Sequence, residues 1–180
     1  MDSRQFSTEY ISPLGPLTIA ADGQRITGLW LKGQKYYAAT LGRAVAGARL
    51  PVFEQAADWL DRYFRGEKPQ NSLPLAPPGS AFRQAVWRLL GEIPYGRVFS
   101  YGEIARAVAR EMGRESMSAQ AVGGAVGHNP ISIIIPCHRV VGSNGSLTGY
   151  AGGLDKKIHL LRLEGADLSS FFIPARGTAL

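Results

Sequence analysis

The chain has 180 residues, 45% of them hydrophobic, which is enough for one domain or two small ones with a core that needs no covalent staples. Its single cysteine excludes an internal disulfide and any multi-cysteine zinc site, and the polar start Met1-Asp2-Ser3-Arg4-Gln5 precedes no long apolar run, so a cytoplasmic protein without membrane association is expected. A net charge of +6, with the basic excess towards the C-terminal part, suits a polyanionic partner and equally a solvated basic surface.

Phe6 to Ile11, Leu17 to Ala20 and Ile26 to Leu31 are partly alternating apolar runs separated by Pro13-Leu14-Gly15-Pro16 and Asp22-Gly23, which predicts a β-meander. From Pro51, the spacing of Phe53, Ala56, Ala57, Leu60, Tyr63 and Phe64 predicts one amphipathic helix ending at Gly66. Trp30 and Trp59 read as core. Leu73 to Gly79 holds three prolines and reads as an interdomain linker. The expected division is an N-terminal α/β domain over 1–73, a linker over 74–79 and a second, C-terminal domain over 80–180.

Beyond the linker the composition turns helical. Ser80 suits the cap of a helix carrying Phe82, Val86, Trp87, Leu89 and Leu90, which stops before Ile93-Pro94-Tyr95-Gly96. Ser100 caps a second, with Ile104, Ala105 and Val108 on one face, and Ser116 or Ser118 a third from Ala119 to about Val126. Two short helices about a tight turn form the pattern of a helix-turn-helix. The third helix keeps adjacent Gly123 and Gly124, each costing about 1 kcal/mol against alanine, so close backbone approach is implied, to another helix or to nucleic acid. After Asn129-Pro130, Ile131 to Ile135 reads as a buried strand delivering Pro136-Cys137. Gly142 to Gly153, with five glycines and Tyr150, reads as a loop or hairpin. A final helix, Asp155 to Glu164, follows with Ile158 and Leu161 facing in and Gly165 as its C′ residue.

The lone cysteine sits in Ile135-Pro136-Cys137-His138-Arg139-Val140, between an apolar run and two basic side chains. Electropositive neighbours lower a thiol's pKa and hold thiolate, so this setting favours a nucleophile over a buried structural cysteine. A base must make that thiolate and a third group must orient the base: His138 is adjacent, and Glu164 on the following helix is available as the orienting carboxylate. Neighbours on a strand point to opposite faces, so contact between Cys137 and His138 requires a turn or a bridging water. A papain-like hydrolase has the opposite order, and a redox role lacks a second thiol.

These residues carry a resemblance. Phe82-Arg83-Gln84-Ala85-Val86-Trp87, Ile93-Pro94-Tyr95-Gly96, Ser100-Tyr101-Gly102-Glu103-Ile104-Ala105, Ala121-Val122-Gly123-Gly124-Ala125, Asn129-Pro130, Pro136-Cys137-His138-Arg139-Val140 and Leu147-Thr148-Gly149-Tyr150-Ala151-Gly152-Gly153 through Leu163-Glu164-Gly165 stand in the order seen in O6-alkylguanine-DNA alkyltransferases. The chain resembles that family of Ada C-terminal and Ogt kind over nearly all of 80–165, and loosely in Ser12 to Leu17 and Tyr63 to Gly66.

The resemblance implies an α+β fold: a small ribonuclease H-like N-terminal sheet with a helix, then a mainly helical, winged-helix-like domain. It implies irreversible transfer of an alkyl group from O6 of guanine, and from O4 of thymine, to Cys137. Each molecule would act once, as a monomer on double-stranded DNA, without cofactor or metal. By matching position, His138 and Glu164 form a water-linked relay, Tyr101 donates to the departing base, Asn129 braces the turn, and Arg139 supports it by ion pairing. Ala119, Gln120, Ala121 and Gly123 face the minor groove, and Arg139, Val140, Tyr150 and Ala151 complete the DNA- and base-binding set. Two departures stand out. Gln120 occupies the place of a customary arginine that fills the gap left by the flipped base, and Ala109 to Ser118 is longer than usual, with Arg110 and Arg114 as candidate phosphate contacts. A lesion-sensing protein without repair is the competing reading; relatives of that kind lack the cysteine.

Overall fold

The computed structural model describes residues 4–70 and 72–174, so the polar start Met1-Asp2-Ser3 and the end of the C-terminal tail lie outside the described residues. The chain divides into two compact units, one running to Pro78 and including Pro130–Ile134, the other formed by Gly79–Asn129 and the chain from Ile135 onward.

In the first unit the expected meander forms. Strands β1 (Gln5–Ser12), β2 (Gly15–Ala21) and β3 (Ile26–Leu31) pair antiparallel in sequence, with Phe6 opposite Ala21 and Leu17 opposite Leu31. A short fourth strand, β4 (Ala44–Ala46), pairs parallel to β1 on its free edge and completes the order β3-β2-β1-β4. Helix α1 (Pro51–Phe64) opens on a proline, where a missing N–H costs nothing, and buries Val52, Phe53, Ala56, Trp59, Leu60 and Tyr63. It packs on β1 and β2; each large side chain so buried stabilises the unit by about 2 kcal/mol.

Part of the proline run is paired rather than bare: Ile26 N donates to Pro74 O (2.8 Å) and Ala76 N to Ile26 O (2.8 Å).

The expected strand over Ile131 to Ile135 does not form. Ile131 makes one bridge to Leu29, and the chain then turns, with Ile133 at φ +69° and Ile134 N donating to Ser132 O at 2.8 Å. That is a classic-sense γ-turn, strained for a β-branched residue. The run is buried as its composition implies, with Ile131, Ile133, Ile134 and Ile135 all inside, but apolar character does not distinguish a strand from a buried turn.

The second unit is mainly helical. Helices α2 (Ala81–Gly91), α3 (Tyr101–Glu111) and α4 (Ala119–Gly127) contact one another pairwise. Serine starts each of them: the Ser80, Ser100 and Ser118 hydroxyls accept from backbone N–H groups in the first turns of α2, α3 and α4. At Ser100 the cap is reciprocal, because the Glu103 carboxylate accepts from Ser100 N at 2.7 Å. Trp87 Nε1 donates to Ala125 O at 2.9 Å, tying α2 to the end of α4. α3 and α4 with their corner over 112–118 make the helix-turn-helix, and Arg110 and Arg114 beside it are exposed. Strands β5 (Phe99–Ser100) and β6 (Val140–Val141) pair parallel, a 3-10 turn spans Cys137–Arg139, and α5 (Leu154–Leu163) ends at Gly165 with φ +70°.

Because the Ser100 box fixes the start of α3, and so the position of Tyr101, Ser100→Ala is expected to cost about 1 kcal/mol of stability, measured as a lower urea midpoint with an unchanged slope.

Candidate active site

Two tight backbone reversals place the thiol. After the Ile133 turn, Cys137 N donates to Ile135 O at 2.8 Å across Pro136 (φ −82°, ψ 64°), an inverse γ-turn, and Arg139 N then donates to Pro136 O. Cys137 thus heads a 3-10 turn instead of ending a strand, so the strict side-to-side alternation expected of a strand does not separate it from His138. The residue is only 4% exposed, and its Sγ accepts a hydrogen bond from Asn129 Nδ2 at 3.1 Å. The same amide donates to Ile135 O at 2.8 Å and holds both ends of the reversal.

His138 is fully buried, and its Nε2 lies 2.7 Å from Glu164 Oε1. A carboxylate only accepts, so Nε2 carries the hydrogen and Nδ1 is the basic nitrogen of the neutral ring. Arg139 meets the same carboxylate with two nitrogens, Nε to Oε2 (2.8 Å) and Nη2 to Oε1 (2.9 Å). Its Nη1 donates to Ile93 O at 2.6 Å, and the guanidinium lies over the Tyr95 ring. Gly96 N adds a further hydrogen bond to Glu164 Oε2.

Burial pushes the Glu164 carboxyl up, but the hydrogen bonds and charges of His138 and Arg139 together outweigh it and hold the group well below the usual carboxylate range. Burial likewise holds His138 low, against the Glu164 carboxylate, so the imidazole is neutral. The Cys137 thiol is raised by burial, with the Asn129 amide and the Lys157 charge pulling it down.

The pocket wall comes from the glycine-rich loop. Tyr101 Oη donates to Gly149 O at 3.1 Å, and Gly149, at φ +80°, has no room for a Cβ, which would lie 2.2 Å from that hydroxyl. Burial, then the charge of Cys137, keeps the Tyr101 hydroxyl protonated. Tyr150 is buried and meets His138 edge-on, with ring centroids 6.3 Å apart; Ala151 beside it is half-buried.

The structure therefore brings Cys137, His138, Glu164, Asn129, Arg139, Tyr101 and Tyr150 into one connected set. Val140 is buried at the start of β6. Ala119, Gln120 and Ala121 stand apart from it as an exposed face of α4, with Gly123 half-buried. A Cβ at Gly123 would touch the Tyr101 ring at an ordinary 3.8 Å and one at Gly124 would meet nothing, so packing against another helix does not require these glycines. Arg139 faces inward on Glu164.

One residue of this set was not singled out from the sequence. Lys157 is fully buried and donates from Nζ to Val140 O (2.5 Å) and Thr148 O (2.7 Å). Its signal was present, for Lys157, Leu160, Leu161 and Glu164 follow the i, i+3, i+4, i+7 spacing of an inward face.

Among the described residues, no cluster of three or more His, Cys, Asp or Glu could hold a metal ion, and no helix is long and apolar enough to cross a membrane.

Removing one partner of a buried ion pair strands the other, so Arg139→Met is expected to cost about 3–5 kcal/mol in chemical denaturation. The pH dependence has a definite sign. Glu164 is depressed, so its contribution is complete above the unfolded carboxylate range and is lost as pH falls from there towards its depressed folded value. His138 is also depressed, so unfolding takes up a proton below about pH 6.5. His138 therefore makes stability fall as pH drops below about 6.5, and Glu164 adds a further fall below about pH 4.3, read as a urea midpoint that declines in two stages.

The family models for 6-O-methylguanine DNA methyltransferase match in two parts, the ribonuclease-like domain over residues 6–77 and the DNA binding domain over 81–166. A Haemophilus influenzae methylated-DNA–protein-cysteine methyltransferase is 44% identical over 160 residues, covering 88% of this chain and 86% of the relative. Its Methanosarcina acetivorans counterpart is 42% identical, covering 86% and 95%. The crystal structure of Mycobacterium tuberculosis OGT in complex with DNA superposes with a TM-score of 0.76 at 41% identity, over 94% of this chain and 96% of that one. Matched in both parts and over most of its length, the chain belongs to the 6-O-methylguanine DNA methyltransferase family.

Proposed function

We propose that this protein repairs DNA by irreversible transfer of an alkyl group from O6 of guanine, and from O4 of thymine, to Cys137. The observation that carries the reading is the buried chain Glu164–His138 beside a single cysteine whose sulfur is already braced by Asn129. Glu164 fixes the His138 tautomer with Nδ1 as base, and the thiol proton passes to that nitrogen directly or through water. The sulfur electron pair forms the S–C bond while the C–O6 bond breaks, and its pair leaves with guanine. Tyr101, held protonated, donates a hydrogen bond to the base as it leaves as a guanine anion, and the proton taken up by His138 returns through water to neutralise that anion. To donate in this way, the Tyr101 hydroxyl exchanges the Gly149 carbonyl for the base. The thioether is stable, so no cofactor is needed and each molecule acts once.

Double-stranded DNA carrying the lesion is the partner, bound by a monomer in the cytoplasm. The exposed Ala119–Gln120–Ala121 face of α4, with glycines that packing does not demand, suits close approach to a minor groove, and the target base is flipped out to reach the buried thiol. Exposed Arg110 and Arg114 suit phosphate contacts.

Incubation with duplex DNA containing O6-methylguanine is expected to add one methyl group to the peptide holding Cys137, and Cys137→Ala is expected to abolish it. Tight binding without a mass change would establish the lesion-sensing alternative instead. Gln120→Arg is expected to raise the rate on duplex DNA more than on free O6-methylguanine; equal effects would remove position 120 from flipping. Affinity is expected to fall with added salt as phosphate contacts release counterions.

A further inference from the structure

Lys157 is a buried cation that the transfer chemistry leaves unassigned. A lysine is almost never fully buried unless its charge is met, yet Lys157 is 0% exposed on α5. Its ammonium bridges two backbone carbonyls, Val140 O at 2.5 Å and Thr148 O at 2.7 Å. The first belongs to the residue that ends the Cys137–Arg139 turn, the second to the residue before Gly149 and Tyr150. One side chain thus joins the segment that carries the nucleophile to the loop that carries the pocket wall.

The neighbouring charges decide what the ammonium does. The sequence places His138 and Arg139 beside the thiol, but neither supplies a spare positive charge: His138 is held neutral by burial, and the Arg139 guanidinium is fully engaged with Glu164 and Ile93 O. Tyr101 and Tyr150, the other titratable groups around the thiol, are both kept protonated by burial. Lys157 remains, and its charge and that of Cys137 act on each other in both directions. Burial lowers the Lys157 pKa to about 8 while the Cys137 charge raises it, so the ammonium persists at neutral pH.

We propose that Lys157 is a positioning residue for alkyl transfer: its buried ammonium clamps the Cys137 turn to the Gly149–Tyr150 wall and is the positive charge against which the thiolate forms. The proposal rests on Cys137 being the alkyl acceptor. The charge does not touch the alkyl group or the base; it shifts the thiol equilibrium before transfer and leaves the displacement itself as written above.

The test compares Lys157→Met, which keeps the length of the side chain and removes the charge, with the unaltered protein. Modification of the single cysteine by iodoacetamide is followed across pH, and transfer from O6-methylguanine DNA is measured alongside. The expected result is a half-reactivity pH raised by at least about one unit, a rate about tenfold lower near neutrality, and curves that converge at high pH where the thiol ionises unaided. A rate lowered equally at every pH would reduce Lys157 to a structural clamp and overturn the charge assignment, as would an unmoved half-reactivity pH.

Should Lys157→Met fail to fold, linkage supplies a second measurement on the native lysine. If Lys157 favours the thiolate, the thiolate favours the ammonium equally. The Lys157 pKa, read by NMR of its labelled ε-carbon, is then expected to be lower in Cys137→Ala than in the unaltered protein, and an unchanged value overturns the proposal. Iodoacetamide and NMR involve no DNA, so a protein that shifts as expected yet takes no methyl group would retain this inference and lose the repair reading.

Discussion

A carboxylate taken out of water loses several kcal/mol of solvation unless donors meet its oxygens. At Glu164 they are met by Nε2 of His138, Nε and Nη2 of Arg139, and the backbone N–H of Gly96. That buried anion is the constraint from which the rest of the site follows. It selects the His138 tautomer, absorbs the Arg139 charge, and joins the end of α5 to the 3-10 turn and to the Tyr95–Gly96 turn. With Arg139 neutralised in this way, the pull on Cys137 comes from elsewhere, and the second buried charge on the same face of α5, Lys157, hydrogen-bonds the carbonyl of Val140 where that turn ends.

The scaffold serves this arrangement by fixing backbone positions with short-range chemistry. The Ser100–Glu103 box starts α3 at Tyr101, and the Tyr101 hydroxyl reaches the carbonyl of a glycine that cannot carry a side chain there. Asn129 closes the reversal that presents Cys137. The strained φ at Ile133 lies just upstream, and strain of this kind persists only where surrounding packing over-determines it; here the flanking isoleucines are all buried. The exposed face of α4 is by contrast made of alanine and glycine around the one long side chain of Gln120, which suits a surface that approaches another backbone closely.

Much of this was legible from residue order. Serine caps, the 3.6-residue spacing of α1 and the turn signals between strands are local signals, and the elements they predicted formed where expected. The pairing of His138 with Glu164 was also readable, because a histidine beside a lone cysteine needs an orienting carboxylate and a family resemblance supplied its place. Three features were not. β4 has only three residues and no alternation to detect, so only the free edge of β1 defines it. The Ile131–Ile135 run is as apolar as a strand, and the backbone sign of Ile133 leaves no mark in composition. Lys157 stands next to Lys156, and adjacent lysines carry the mark of solvated surface, although the spacing of Lys157 to Leu160, Leu161 and Glu164 places it inward.

The central claim is that the buried Glu164–His138 pair prepares Cys137 for a single transfer. Its most direct test is the single-turnover rate of methyl transfer from O6-methylguanine DNA in Glu164→Gln, a substitution that keeps the shape of the side chain and removes its charge. With the variant shown to be folded, a rate lower by about a hundredfold near neutral pH is predicted, recovering as pH rises and the thiol ionises without the relay. A folded variant that transfers the methyl group at the unaltered rate would contradict it.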